Sequence, residues 1–361
     1  METGRDTQPG PAAVVSAPSG AREVELAAMD RAIELARRGP VHGPNPRVGA
    51  VLLAPDGRTL GEGWHAGAGT PHAEVAALAA ARNAGADVRG ATAVVTLEPC
   101  DHTGRTGPCS VALLEAGVAR VVVGLEDPNP VAAGGAERLR AAGVEVVTGV
   151  RGAAAAELLA VWAHAVRTGR PFVTVKIATT WDGRVAAADG TSRWITGPQA
   201  RAHAHAVRAE VDAIAVTTGT VLADDPALTA RTPDGGPAVH QPLRVVVGHR
   251  DVPAGARVRD AGGDLVHLRT HDVTEVLAAL AGCEVRHVLV EGGPALVGAV
   301  LRAGAVDRVH AYLAPVLLGS GPAVVSDLGI GTIADALRLE PVSVEALGPD
   351  VLVVATPRRE P

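Results

Sequence analysis

Strand-like and helix-spaced segments alternate along this chain in two successive cycles, and few architectures accept that order. The first cycle opens with EVELAAMDRAIELARR, whose apolar residues recur at helical spacing and which stops at Gly39-Pro40. RVGAVLLA and TLGEGWH read as two strands joined by the turn PDG. Then come AEVAALAAARNAG, ATAVVTL, SVALLEAG, ARVVVGL, GGAERLRAAG and VEVVTG, helix and strand in turn. A helical stretch, AAAAELLAVWAHAVRTG, leads to Pro171, and the cycle restarts with FVTVKIA, PQARAHAHAVRAE and DAIAVTT. The end, DRVHAYLAPVLLG and VSVEALGPDVLVVATP, is strand-rich. Such alternation predicts parallel strands with crossover helices, hence two layered α/β domains. The expected division is a tail over 1–22, rich in Gly, Pro, Ala and Ser, a first domain over 23–168 and a second over 169–361.

Hydrophobic residues make up 47% of the 361 and aromatics only 2%, so both cores must be filled by Ala, Val and Leu. The net charge of −6 is well mixed, with no basic tract, which argues against duplex nucleic acid or a membrane surface as partner. No apolar run reaches the roughly 18 to 20 residues of a membrane span, and the start lacks the layout of a signal peptide. A cytoplasmic location is expected. Three cysteines do not make a disulfide framework, so the close pair Cys100 and Cys109 reads better as metal-binding or reactive.

A catalytic zinc takes three protein ligands of imidazole and thiolate type and keeps its fourth position for water. His72, Cys100 and Cys109 supply that count, with His72 at a helix start after Pro71 and the cysteines flanking the loop after a strand. Glu74 lies in the same helical turn as His72 and can move protons without joining the ligands. Alone, a His-x-Glu is a common surface pattern, and two cysteines can be small buried apolar residues. Jointly, His-x-Glu followed by Pro-Cys after the next strand is the signature of zinc deaminases acting on cytosine- or adenine-like rings. A structural zinc would need a fourth ligand, for which Asp101 and His102 are adjacent. Cys283 has no partner nearby and is expected to pack in a core.

GPNPRVGAVL, GEGWHAGAGTPHAEVAAL, TLEPCDHTGRTGPC and GLEDPNP closely resemble the deaminase half of the bifunctional riboflavin-biosynthesis deaminase/reductases. The eight residues between the cysteines, with Gly-Arg-Thr, are peculiar to that family among zinc deaminases. The resemblance implies a cytidine-deaminase-like α/β/α domain, Zn2+, and a diaminopyrimidinone carrying ribose 5-phosphate that loses an exocyclic amine as ammonia. By position it implies that Asn45 reads the base while His65 and Arg105 hold the ribose phosphate. A planar guanidinium at Arg105 also suits a phosphate dianion in its own right. Gly107 stands where the family usually has Pro.

No G-x-G-x-x-G follows an early strand of the second half. HVLVEGGPALVGAVL instead runs from a buried strand through Glu291-Gly292-Gly293 into a helix starting at Pro294, where bare N–H groups can meet a phosphate. Lys176, Asp182, Ser192, Arg193, Trp194 and Thr196, then Thr220, Asp224, Asp225 and Arg231, cluster around turns, and each singly reads as turn or cap chemistry. Their order and spacing resemble the reductase half of the same family from about Pro171 onward. That resemblance implies a fold similar to dihydrofolate reductase and NADPH-dependent reduction of the ribosyl group to ribityl. By position Ala178, Trp194, Thr220, Asp224 and Gly293, Pro294, Ala295, Leu296, Val297, Gly298 and Ala299 would face the cofactor. Ser192, Arg208, Leu228, Arg231 and Glu291 would face the substrate, and Lys176 is left without an assigned role. Trp181, where a small aliphatic is usual, either fills core space or crowds the pocket edge.

Two alternatives stand beside the bifunctional enzyme: a paralogue turned to another pyrimidine, and a non-catalytic zinc and nucleotide-binding module. The strand-rich C terminus leaves room for a homo-oligomer.

Overall fold

The computed structural model describes residues 22–103, 107–260 and 262–358, so residues 1–21 of the expected tail and Arg105 lie outside the described residues. By contacts the chain divides into two units, one reaching to Gly39 and resuming over Arg47–Leu158, the other made of Pro40–Pro46 and the chain from Leu159 onward. The break falls inside a helix rather than at its end near residue 168.

In the first unit, helix α1 (Glu23–Ala36) precedes strands β1 (Gly49–Leu53) and β2 (Thr59–Trp64), helix α2 (Ala73–Asn83) and strand β3 (Thr92–Leu97). Helix α3 (Cys109–Glu115), strand β4 (Arg120–Leu125), helix α4 (Gly135–Ala141) and strand β5 (Glu145–Val147) follow, and helix α5 (Gly152–Thr168) crosses the break. The sheet order is β2-β1-β3-β4-β5. It is mixed rather than all parallel: the PDG turn folds β2 back on β1, and β1 also runs antiparallel to β3, so only β3, β4 and β5 are parallel. β1 and β3 are buried along their whole length, as expected of apolar strands covered on both faces. Met29, Leu35, Leu53, Val94, Val122 and Val150 form a core without a phenylalanine or tyrosine. Within it Arg120, 5% exposed, donates to the buried Glu25 carboxylate at 2.7 and 3.1 Å, so the one charge is answered by the other.

The second unit is built on strands β6 (Phe172–Thr180), β7 (Ala213–Thr217), β8 (Leu243–Val247), β9 (Leu265–Leu268), β10 (His287–Val290), β11 (Arg308–Ala314), β12 (Leu339–Leu347) and β13 (Asp350–Pro357). Between them lie helices α6 (Pro198–Glu210), α7 (Thr218–Asp224), α8 (Arg257–Asp260), α9 (Val273–Gly282) and α10 (Pro294–Arg302). The order is β12-β13-β11-β6-β10-β7-β8-β9, parallel from β11 to β9 and antiparallel in the closing strands. The parallel strands therefore end on one edge, where an open α/β sheet binds ligands. One side of the sheet packs Val175, Val245, Val290, Leu296 and Val300, the other Ile214, Val216, Val246 and Leu289.

Two expectations are corrected here. Cys283 is not in a core: it is the C-cap of α9 and is exposed, because the chain turns out of the helix there through Glu284 at φ 58°. Trp181 is 66% exposed and fills no core space, since the Thr180–Gly183 turn carries it outward.

Candidate functional site

In the first unit, Pro71 leaves His72 in extended conformation as the N-cap of α2, so the imidazole sits at the helix mouth with Glu74 in its first turn. β3 ends at Leu97, and three residues later Cys100 meets Cys109, the first residue of α3. His72 Nδ1 lies 3.2 Å from Cys109 Sγ and 3.5 Å from Cys100 Sγ. The three ligand atoms all fall within 4.8 Å of one another, the spacing of donors around one small cation. Neither Asp101 nor His102 joins this group among the described residues. Asp101 is engaged by Ser110 Oγ at 2.6 Å and Arg138 Nε at 2.5 Å. Three soft donors with no fourth fit an ion that keeps a position open, and not a closed structural zinc.

The electrostatics suit this. Glu74 is 4% exposed, and burial pushes its carboxyl up to about 7. The two thiols share their protons unequally: hydrogen bonding from Cys109 holds Cys100 down to about 4, while the same contact and burial push Cys109 well up. His65 is buried beside this group, its ring edge-on to that of His72 at 5.6 Å and its Nδ1 3.1 Å from the Pro71 carbonyl oxygen. It thus braces the turn that carries His72. Asn45 lies on Pro40–Pro46, grouped with the second unit, and Arg105 is outside the described residues. A methyl group at Gly107 would meet nothing within 4 Å, so the departure there leaves the packing untouched.

Sequence reasoning missed the support under the cysteines. Glu98, 8% exposed, accepts amide hydrogens from Asp127, Gly134 and Ala136 at 3.0, 3.2 and 2.9 Å. One carboxylate therefore ties the loop after β4 to the segment that ends in Cys100, and the Asp101 amide adds a bond to the Ala132 carbonyl at 2.9 Å. The available signal was a Glu at the end of a strand-forming run of Val and Thr, TAVVTLE.

In the second unit, β6, β10 and α6 bring together Lys176, Glu291 and Arg208. Arg208 clamps Glu291, whose side chain is 6% exposed, with two hydrogen bonds, 2.6 and 2.8 Å, and donates a third to the Thr229 carbonyl at 3.1 Å. Lys176 Nζ stands 3.9 Å from the same carboxylate and 5.9 Å from the centre of the Tyr312 ring. Burial alone would raise the Glu291 pKa, yet the Arg208 and Lys176 charges outweigh it and bring the group down to about 2. Burial also lowers Lys176.

Ala178 is half-buried on β6, and Leu228 is buried at φ 53°. Trp194 is 69% exposed, with the Arg201 guanidinium 4.7 Å over its ring. Thr217 caps α7, its Oγ1 accepting from the Thr220 amide at 3.1 Å, and the Asp224 carbonyl accepts from Arg193 at 2.5 Å. Ser192 is half-buried, whereas Asp224 and Arg231 are exposed. From Gly293 to Ala299 only part of the stretch faces outward: Leu296, Val297 and Gly298 are buried, while Gly293, Pro294 and Ala295 form the partly exposed start of α10, where the Pro294 carbonyl accepts from the Ser326 amide at 3.2 Å.

Residues 22–125 match the cytidine and deoxycytidylate deaminase zinc-binding region, and residues 171–353 match the RibD C-terminal domain. The riboflavin biosynthesis protein RibD of Mycobacterium tuberculosis is 53% identical over 86% of this chain and 90% of its own length. That of Escherichia coli is 40% identical over 90% and 96%. Among solved structures, the diaminohydroxyphosphoribosylaminopyrimidine deaminase/5-amino-6-(5-phosphoribosylamino)uracil reductase of Thermotoga maritima is 35% identical, with a TM-score of 0.84 over 93% of this chain and 99% of that one. Acinetobacter baumannii RibD gives 37% and 0.84 over the same shares. With both halves matched in one order and nearly end to end, the chain belongs to the RibD family, the bifunctional deaminase/reductases of riboflavin biosynthesis.

Proposed function

We propose that the chain hydrolyses the exocyclic amine of 2,5-diamino-6-(5-phosphoribosylamino)pyrimidin-4-one at the His72, Cys100, Cys109 site, then reduces the ribosyl group to ribityl beside Lys176 and Glu291. It is an enzyme with deaminase and reductase domains, using Zn2+ and NADPH. The observation that carries the residue assignment is the three-donor group with the buried Glu74 in the first turn of the helix that His72 caps.

When bound, the zinc ion supplies the Lewis acidity that makes water a nucleophile at neutral pH. Glu74 takes the proton from the attacking water and returns it to the departing amine, so that ammonia leaves as the ring carbon gains its oxygen. A carboxyl near pH 7 suits both halves of that transfer. His65 holds the Pro71–His72 turn, while Asn45 reads the base and Arg105 holds the phosphate.

When bound, NADPH supplies the hydride that reduces C1 of the opened sugar. Lys176 holds a proton for the sugar oxygen that becomes a hydroxyl, and Glu291 keeps that ammonium in place. Arg208 fixes Glu291, while Ser192, Leu228 and Arg231 line the substrate side. Ala178, Trp194, Thr220, Asp224 and the Gly293–Ala299 stretch receive the cofactor, the last chiefly through its backbone.

The reactions are assigned to the cytoplasm, in keeping with three free cysteines. A homodimer is assigned to the second unit, because β12 is an edge strand with Leu339, Val342 and Val344 exposed. No helix among the described residues is long and apolar enough to cross a membrane.

Incubating purified protein with the diaminopyrimidinone phosphate, with and without NADPH, tests the reading. Ammonia should appear in both cases and NADPH oxidation only after it. NADPH oxidation without prior ammonia release would break the proposed order.

A further inference from the structure

The chain's single tyrosine, Tyr312, is 1% exposed beside Lys176, and no step above uses it. In the parallel pair β6–β11, His310 stands opposite Lys176 and Tyr312 opposite Ala178, so these four side chains share one face of the sheet. Helix α6 packs on that face. Its Ala200, His203, Ala204, Val207 and Arg208 recur at i, i+3, i+4, i+7 and i+8, the spacing of a single helical stripe.

That stripe makes two anchors. Arg208 holds Glu291, and His203 Nδ1 shares a hydrogen bond of 2.8 Å with the Tyr312 hydroxyl, while Ala200, Ala204 and Leu352 pack with the tyrosine. A buried phenol left without a partner is costly, so His203 fixes where the ring sits. Burial, with the Glu291 charge added, lifts the Tyr312 hydroxyl well above its ordinary range, so the side chain is a neutral wall and not an acid. His310 is neutral as well, burial bringing it down to about 4, and so sets no second cation opposite Lys176. The Lys176 ammonium thus has two neighbours that favour it, the Glu291 carboxylate at 3.9 Å and the Tyr312 ring with its centre at 5.9 Å. A lysine stands on a flexible four-carbon stem, and 24% of this side chain is open to solvent, so the carboxylate alone leaves the nitrogen free to swing.

We infer that Tyr312, anchored by His203, is a positioning residue that holds the Lys176 ammonium within reach of the sugar oxygen during reduction. The inference rests on the proton role given to Lys176 above and adds what keeps that proton in place. Lys176 gives its proton to the ring oxygen as the bond from that oxygen to C1 breaks and C1 takes the hydride of NADPH. NADP+ is left, with a neutral amine that solvent reprotonates through the exposed part of the side chain. A donor displaced by about 1 Å slows such a transfer severely. Tyr312 is buried behind Lys176 in the core of α6 and the sheet, so its loss should act on kcat and not on KM.

Steady-state reduction of the deaminated pyrimidine phosphate by the full-length, zinc-loaded protein, in H2O and in D2O, tests this. Tyr312→Leu should lower kcat about tenfold, part of the roughly 10²- to 10⁴-fold that a placed proton donor supplies, and leave both KM values unchanged. Its solvent isotope effect should rise, because proton transfer then limits the step. Tyr312→Phe keeps the ring and should stay near the wild type. His203→Ala strands the hydroxyl and should slow reduction about three- to tenfold; adding Tyr312→Phe should restore the rate, since a ring without a hydroxyl needs no partner. A residue that only filled the core would give neither that rescue nor a change in isotope effect. Wild-type kcat in Tyr312→Leu, an unmoved isotope effect, or a double variant as slow as His203→Ala overturns the inference. Should Tyr312→Leu fail to bind NADP+, and so to fold, His203→Ala and the double variant decide. Lys176→Gln separates the two readings. Reduction by it at the wild-type rate overturns the proton role of Lys176 and this inference with it, whereas an inactive Lys176→Gln beside a fully active Tyr312→Leu overturns this inference alone.

Discussion

Gly135 stands so close to Pro99 that a methyl group on it would meet the Pro99 carbonyl oxygen at 1.8 Å. Both atoms are fixed by backbone, so no side-chain rotation relieves the clash. The start of α4 would have to move away from the segment holding Cys100, and the Glu98 bonds to Gly134 and Ala136 would stretch with it. Gly135→Ala should therefore lower zinc content and ammonia release by about tenfold or more, in the range seen when support around metal ligands is lost. Reduction of an already deaminated substrate should continue. Metal analysis beside the two activity assays checks it, and full zinc occupancy would count against this role.

Ligand and proton carrier should separate by mutation. His72→Ala removes one of three donors, so zinc and deamination should both be lost while reduction persists. Glu74→Gln keeps the donor group intact and removes the proton carrier, so zinc should stay bound while ammonia release falls by roughly 10²- to 10⁴-fold. A Glu74→Gln protein that still deaminates at the wild-type rate would assign the proton transfer elsewhere.

The donor group was legible in the sequence because each half is local: His72 and Glu74 share one helical turn, and Pro99-Cys100 follows a strand marked by its own apolar run. The two-cycle architecture was legible for the same reason, since periodicity is a local property. What could not be read is pairing at a distance. The contact of Glu98 with Asp127, Gly134 and Ala136 spans 29 to 38 residues, and the Arg208–Glu291 clamp spans 83. The antiparallel insertion of β1 between β2 and β3 likewise depends on which edge a hairpin joins, which its residues do not encode singly.

Glu291 makes the second unit sensitive to acid. Its folded pKa of about 2 lies below the ordinary 4.5, so its stabilising contribution is complete above about 4.5 and is lost as pH falls toward 2. Glu291→Gln should reduce stability at pH 7 and flatten its dependence on pH across that window. Arg208→Met should be the harsher change, costing about 3 to 5 kcal/mol, because it strips the Glu291 carboxylate, whose side chain is 6% exposed, of both hydrogen bonds and leaves Lys176 at 3.9 Å. Urea unfolding followed at several pH values reads both. An Arg208→Met protein as stable as the wild type would mean that the clamp contributes little.

The exposed strand β12 should govern assembly. Leu339, Val342 and Val344 are 43%, 66% and 64% exposed on a strand hydrogen-bonded along one side only, to β13. Ile333 and Leu337, just before it, are 81% and 43% exposed, which extends the apolar surface. An edge of this kind pairs with another chain unless charge or proline guards it; here Pro341 sits where the β12–β13 register already shifts, and of the two exposed carboxylates Glu340 is paired with Arg358, leaving the apolar residues the larger part of the edge. A second copy of the same chain is the occupant that every molecule in solution can provide. Val342→Lys combined with Val344→Lys should convert a dimer to a monomer by light scattering, because two ammonium groups would have to be buried against two more. Zinc content should not change, since neither residue belongs to the donor group. A wild-type protein that is monomeric at micromolar concentration would remove β12 from any role in self-association.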